Sequence, residues 1–203
     1  MWVIHIMEQP LLFFLFAVLA YLLGSIPIGF LVAKARGIDI STVGSGNIGA
    51  TNIARNLGFK LGALVGILDF FKSYLPIFLA HQLIDQQWQI LVISILPVLG
   101  HIFPVWLNFK GGKGVSTIFG IIAGFFGMLP FLGFLLVWFL VVKWVKLMSL
   151  VNLVVGVLLP FAFWIRFNDL MLALFGLLLG LIIWWTHREN LKRLLAGKEN
   201  KIG

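Results

Sequence analysis

Cysteine is absent from all 203 residues, which excludes disulfides and thiolate-held metals outright. Acidic residues are nearly as scarce. The seven that occur are scattered, which speaks against a carboxylate-built two-metal site, and no metal or organic cofactor is indicated. Charge of either sign is thin at 11%, where a soluble domain carries about a quarter, while 61% of the residues are hydrophobic. With a mean hydropathy of +1.08, water cannot be the only solvent of this chain. The expected fold is all-α: a polytopic integral membrane protein. Its formal net charge of +8 needs no nucleic acid partner, because Lys and Arg collect in cytoplasmic loops and meet anionic lipid headgroups. No internal repeat, low-complexity segment or composition shift divides the chain, so a single domain over residues 1–203 is expected.

Apolar runs mark the spans. Pro10 to Ala33 is too long for a signal-peptide core and runs directly into Lys34 and Arg36, so it reads as a retained first span. Leu61 to Ala80 is the second, interrupted by Asp69 and Lys72. After the polar turn His81 to Gln87, Trp88 to Leu107 is the third. From Val115 to Val142 the sequence is apolar throughout, about 42 Å as one helix at roughly 1.5 Å per residue. Gly124, Gly127 and Pro130 interrupt its middle. Lys143 and Lys146 should share a side with Lys110 and Lys113, so the stretch is expected to form two short helices with a turn near Gly127 to Pro130. Leu150 to Ile165 and Leu170 to Trp185 complete seven transmembrane helices. Every Lys and Arg then lies on one face except Arg166, on the other, and Lys72, within the membrane. That asymmetry predicts an external N-terminus and a cytoplasmic C-terminus.

Three polar stretches fall on the cytoplasmic side. The first is Val43-Gly44-Ser45-Gly46-Asn47-Ile48-Gly49-Ala50-Thr51-Asn52, followed by Arg55. Its donors are mostly neutral, so topology does not explain them. A capped loop, with Thr51 or Asn52 as N-cap, accounts for one polar residue and leaves several over. Glycines admit unusual backbone angles and close approach, and Arg55 offers a planar fork suited to phosphate. The second is Asn108-Phe109-Lys110-Gly111-Gly112-Lys113-Gly114. It superficially resembles a nucleotide phosphate loop, but Gly114 stands where Ser or Thr is needed and Asn108 where a glycine is needed. Topology explains the lysines but not the interleaved glycines before a helix start, which favour anion binding. The third is Thr186-His187-Arg188-Glu189-Asn190, where His187 and Asn190 would share a face of a continuing helix. An interfacial belt of Trp184, Trp185, Arg188, Lys192 and Arg193 accounts for it as well as a ligand does. Asp69 and Lys72, three apart in the second span, can neutralise each other as an internal ion pair. His101 and Pro104 can shape the approach to the lysine loop, and Ser149 offers a donor from a further direction.

Taken together, the three stretches resemble the bacterial acyl-phosphate glycerol-3-phosphate acyltransferase family, the PlsY type. The resemblance rests on Val43 to Asn52 with Arg55, on Gly100-His101-Ile102-Phe103-Pro104 with Phe109 to Val115, and on His187 to Asn190 with Arg193 to Gly197 and Glu199. Leu23 to Ile26 and Leu68 to Phe70 with Lys72 add to it, so the similarity runs through essentially the whole chain in order. Ser73 and Ser116 are its small departures. The resemblance implies a seven-helix enzyme of the bacterial inner membrane with its active site facing the cytoplasm. It implies transfer of a fatty acyl group from acyl phosphate to the 1-hydroxyl of sn-glycerol 3-phosphate, the first step of phospholipid synthesis, giving lysophosphatidic acid and phosphate. It further implies membrane lipid as surroundings, and a functional link to the enzyme that makes acyl phosphate.

That reaction suits the residues, since both substrates carry phosphate. Ser45, Arg55, Lys113, His187 and Asn190 are assigned to the catalytic cradle. Gly44, Gly46, Asn47, Thr51, Asn52, Lys110, Gly111, Gly112, Gly114, Ser149 and Arg188 are assigned to binding substrate phosphate around it. Acyl phosphate is a mixed anhydride with a good leaving group, so binding and charge stabilisation can supply most of the acceleration. The family is thought to use no dedicated protein base, and His187 is the one side chain that could contest this. The other large acyltransferase group needs Asp five residues after His, and no histidine here has that partner. An anion transporter would place its ligands near the bilayer midplane, often within inverted repeats, and a purely structural subunit would not need three donor stretches.

Overall fold

The computed structural model describes the backbone of residues 2–201 and the side chains of residues 10–201. Every regular element among them is helical: α1 (Trp2–Ser25), α2 (Ile28–Lys34), α3 (Ala50–Leu57), α4 (Phe59–Leu83), α5 (Gln87–Ile102), a 3₁₀ turn (Val105–Leu107), α6 (Val115–Phe126), α7 (Met128–Val145), α8 (Met148–Phe167), α9 (Leu170–Thr186) and α10 (Arg188–Leu195). The all-α expectation holds. Five stretches are long and apolar enough to cross a bilayer, Pro10–Lys34, Phe59–Leu83, Gln87–Leu107, Met128–Val145 and Met148–Phe167, and a sixth counts if α9 and α10 are taken together across their 62° bend. The seventh expected span, α6, is a 12-residue helix, about 18 Å against a hydrocarbon thickness of about 30 Å.

Two interruptions have simple causes. The first span breaks after Ser25, because the ring of Pro27 and its missing N–H end the helix, and Ile28 starts it again. The first span expected from Pro10 to Ala33 is present as Pro10–Lys34, with this break inside it. The apolar run from Val115 divides as expected. Gly127 takes φ +90, and Pro130 stands in the first turn of α7, where its lack of an N–H costs nothing.

The chain forms two compact units, Met1–Gly124 and Phe125–Gly203. In the first, α1 crosses α5 at two glycines. A Cβ on Gly24 would lie 2.4 Å from the Pro97 carbonyl oxygen, and one on Gly100 2.3 Å from that of Tyr21. Small residues let membrane helices approach by backbone contact, which replaces the hydrophobic drive that lipid cannot provide. The Tyr21 hydroxyl then donates to the Phe103 carbonyl at 2.7 Å, pinning the end of α5. In the second unit α8 and α9 meet in the same way, with the Gly156 carbonyl oxygen 2.2 Å from where a Cβ on Gly180 would sit. Phe126 and Phe163 pack edge to face at 5.0 Å, and Trp138 Nε1 donates to the buried Asn152 Oδ1 at 3.0 Å. Helix α7 buries only Phe131 and Val142. Its exposed Leu136, Val137 and Leu140 belong in lipid.

Candidate active site

The first polar stretch is a loop with an internal staple. Ile40 and Ile48 are buried with Ala33, Ile53 and Val65, so the loop is anchored by apolar side chains at both ends. Between them Gly44 and Gly46 turn the chain at φ +60 and +66, values that favour glycine. Asn52, 3% exposed, fills the turn. Its Nδ2 donates to the carbonyls of Asn47 at 2.9 Å and Val43 at 3.1 Å, while its Oδ1 accepts from the Ser45 N–H at 2.9 Å and from Asn56 at 3.0 Å. Asn47 Oδ1 accepts from the Gly49 N–H at 2.8 Å, just before α3 begins. Both amides thus shape the loop, Asn52 with its oxygen and nitrogen and Asn47 with its oxygen. Helix α3 starts at Gly49, not at a Thr51 or Asn52 cap. Ser45 and Arg55 are exposed and Thr51 is half-buried, with Thr51 and Arg55 on one face of α3 at i, i+4.

The lysine loop folds back along the end of α5. The Gly111 N–H donates to the Ile102 carbonyl and the Gly112 N–H to that of His101, each at 3.0 Å. These are the donors that the glycines suggest for a ligand, and they are engaged by helix-end carbonyls instead. Glycine is demanded here by space. A Cβ on Gly112 would lie 2.1 Å from His101 Nε2, and one on Gly111 2.0 Å from the His101 carbonyl oxygen. Gly112 is therefore in van der Waals contact with an imidazole. Gly114, at φ +80, hands the chain to α6, and its carbonyl accepts from the Ile118 N–H at 2.8 Å and the Thr117 hydroxyl at 2.7 Å. Lys110 is exposed and Lys113 half-buried.

The beginnings of α3 and α6 come together on α4. Beside Gly66 lie the Ala50 methyl and the Ser116 hydroxyl, at 3.5 and 3.9 Å from where a Cβ would sit. Ala50 opens α3 and Ser116 is the second residue of α6. Two helix N-termini, each carrying partial positive charge and directed N–H groups, thus meet in the first unit, and each is preceded by a glycine-bearing polar loop. With Arg55, Lys110 and Lys113 on these segments, the arrangement can hold an anion.

In the second unit, α9 ends at His187, and the helix axis bends by 62° into α10. His187 and Asn190 are 2% and 6% exposed, so the bend keeps both inside where a straight helix was expected. His187 Nδ1 lies 2.9 Å from the Ile183 carbonyl, which can only accept, so Nδ1 carries a proton. One carboxylate organises the other donors. Glu199 Oε1 accepts from Asn190 Nδ2 at 2.6 Å and from the Ser149 hydroxyl at 3.0 Å, and Oε2 accepts from Arg193 Nε at 2.8 Å. Arg188 is exposed, donates to the Trp185 carbonyl at 3.0 Å and stacks on its ring, as the interfacial reading expects. Among the described residues, no three His, Asp or Glu side chains come together as a metal site.

Residues 14–197 match the family model described as glycerol-3-phosphate acyltransferase. The chain is 40% identical over 195 residues to the glycerol-3-phosphate acyltransferase of Agrobacterium fabrum, covering 96% of this chain and 94% of the relative. It is 38% identical over 186 residues to that of Aquifex aeolicus, covering 91% and 96%. Its structure superposes with a TM-score of 0.88 on the glycerol 3-phosphate form of PlsY, an integral membrane glycerol 3-phosphate acyltransferase, at 36% identity and covering 94% and 96% of the two chains. With the lysophosphatidic acid form of PlsY the TM-score is 0.85 at 35% identity, covering 94% and 95%. The chain belongs to the glycerol-3-phosphate acyltransferase family.

As a member of that family it is an integral, multi-pass membrane protein. The matched span contains every residue assigned from sequence. Glu199 lies just beyond it and was not assigned to the site, although a lone acid between Lys198 and Lys201 in a basic tail is a signal of pairing. Burial works against the charge on Glu199, but the hydrogen bonds from Asn190, Arg193 and Ser149 outweigh it and hold the carboxyl below its ordinary value. A depressed native value means this group stabilises the fold fully above the unfolded value near 4.5 and progressively less as pH falls through the native one. Glu199→Gln should therefore lower hydrogen-exchange protection of residues 190–199 at neutral pH by roughly 1–3 kcal/mol. The wild-type excess over the variant should vanish as the pH is taken down from 5. An equal difference at all pH values would contradict the assignment.

Proposed function

We propose that the protein transfers a fatty acyl group from acyl phosphate to the 1-hydroxyl of sn-glycerol 3-phosphate, releasing lysophosphatidic acid and phosphate as the first step of bacterial phospholipid synthesis. The observation that carries this reading is the meeting of the α3 and α6 N-termini beside Gly66, each preceded by a polar loop. A soluble phosphorylated acceptor and an acyl phosphate both need an anion site at the membrane edge. Ser45, Arg55 and Lys113 in the first unit, and His187 and Asn190 in the second, are the proposed catalytic residues. Thr51, Lys110 and Arg188 add donors, Ser149 helps to hold Glu199 against Asn190, and Gly44, Gly46, Asn47, Asn52, Gly111, Gly112 and Gly114 give the loops their shape.

In the reaction, the acceptor oxygen bonds to the acyl carbonyl carbon as that carbon's bond to the phosphate oxygen breaks. The hydroxyl proton passes to the departing phosphate. Lys113 and Arg55 offset the charge gathering there, and the small change required of the protein is one of position and field rather than covalent chemistry. His187, its Nδ1 held by the Ile183 carbonyl, is the proposed orienting group for the hydroxyl. The chain works as one integral membrane domain over residues 1–203, with seven spans, its N-terminus outside and its C-terminus and active site in the cytoplasm of a bacterial inner membrane. The positive-inside distribution of Lys and Arg supports that orientation. A functional link to the enzyme that supplies acyl phosphate follows from the donor.

Purified protein in lipid, given palmitoyl phosphate, should release phosphate only when glycerol 3-phosphate is present, and should need neither acyl-CoA nor acyl carrier protein. Lys113→Met should lower kcat/KM by about 10²–10³-fold. His187→Gln should leave the pH profile unshifted, whereas loss of one limb of that profile would make His187 a base. Acceptor-independent release, or no turnover by folded protein, would sink the proposal. Orientation is tested separately in a chain with no natural cysteine. In intact cells an impermeant thiol reagent should label Gln86→Cys and spare Lys60→Cys, and the reverse pattern would invert the topology.

A further inference from the structure

Three buried polar side chains of the first unit take no part in the chemistry above. Asp69 and Lys72 stand one turn apart on α4, with side chains 2% and 4% exposed, and His101 near the end of α5 is 5% exposed. Such groups are costly inside a membrane protein, and an apolar replacement would pack at lower cost. Their geometry gives a reason for them. Lys72 Nζ lies 2.9 Å from Asp69 Oδ1 and 2.8 Å from His101 Nδ1, and it donates to the Ile26 carbonyl at 3.2 Å. The ammonium is hydrogen-bonded to the Ile26 carbonyl and His101 Nδ1, and the Asp69 carboxylate stands beside it as its counter-charge. With Nδ1 accepting, the His101 proton is on Nε2.

Each partner belongs to a different part of the fold. Ile26 lies in the break between α1 and α2, where Pro27 interrupts the helix. Asp69 is on α4. His101 touches the lysine loop twice, through its carbonyl to the Gly112 N–H and through its ring against the Gly112 Cα, where a Cβ would lie 2.1 Å from Nε2. One ammonium therefore fixes the ring on which the lysine loop rests, and ties it to the helix break that leads through α2 toward the first polar loop.

We propose that Lys72, with Asp69 and His101, is a positioning network that sets the height and direction of the Lys110–Gly114 loop, and through it the affinity for the phosphate of the acceptor. These are positioning residues, since all three are buried and act through the loop that rests on them. The proposal rests on the reading of that loop as a phosphate-binding segment.

The test is steady-state kinetics in lipid with saturating palmitoyl phosphate and varied glycerol 3-phosphate, using Lys113→Met as the reference for the loop itself. Lys72→Met should raise KM for glycerol 3-phosphate about tenfold or more while changing kcat less, an effect that loss of folded protein alone does not produce. A second pair of variants serves even where Lys72→Met fails to fold. Gly112→Ala forces a methyl onto the imidazole and should lower kcat/KM by about 100-fold. Adding His101→Ala removes the obstructing ring, and the double variant should recover about tenfold relative to Gly112→Ala. A wild-type KM in Lys72→Met, or no recovery in the double variant, would overturn the network while an impaired Lys113→Met leaves the acyltransferase reading standing. A wild-type KM and kcat in Lys113→Met would remove the loop from phosphate binding, and the network proposal with it.

Discussion

Hydrocarbon offers no hydrogen bonds, and that constraint arranges this molecule. Backbone polar groups within the bilayer must be satisfied along their own helix, so irregular chain and its exposed donors are confined to the faces of the membrane or to places buried in protein. The loop at Val43–Asn52, the lysine loop and the bend at His187 are such places. Where a span does break, at Ser25–Pro27, the Ile26 carbonyl accepts from the ammonium of Lys72. Where helices must touch, they do so at Gly24, Gly100, Gly156 and Gly180, because close backbone approach is what replaces hydrophobic association in lipid.

The same constraint suits the proposed chemistry. An acyl phosphate has its tail in lipid and its phosphate at the surface, so the reacting carbonyl is delivered to the interface without a deep pocket. The protein's task there is to hold two anions that repel each other. In the proposed site, helix N-termini do this with dipoles that need no desolvated countercharge, and Arg55 and Lys113 are assigned to add full charge. Because the donor already carries a good leaving group, the absence of a His–Asp pair at the spacing used by the other acyltransferases is consistent with the reaction rather than a gap in it.

Much of this architecture is legible in the sequence, since hydropathy and the distribution of Lys and Arg are one-dimensional signals. The division of the long apolar run at Gly127 follows from counting crossings, and the Asp69–Lys72 pair from a spacing of three. What the sequence conceals is which donors are already engaged. Asn52 looks like a ligand group and is a staple, because its burial depends on Gly44 turning the loop over it. Gly111 and Gly112 look like an anion nest, yet their N–H groups bond to the carbonyls that end α5, and the identity of those partners is set by tertiary folding. His101 joins Asp69 and Lys72 across 29 residues of chain, a distance at which periodicity carries no information. Glu199 gathers Ser149 from 50 residues away, so its role is equally hidden.

The central claim is that the ends of α3 and α6, with their loops, hold the phosphate of the acceptor. Equilibrium binding of radiolabelled glycerol 3-phosphate to the purified protein in lipid, without acyl donor, addresses it most directly. The account predicts saturable binding that inorganic phosphate displaces, that glycerol does not displace, and that Lys113→Met or Arg55→Met weakens at least tenfold. Binding displaced equally by glycerol, or left unchanged by both substitutions in folded protein, would contradict it.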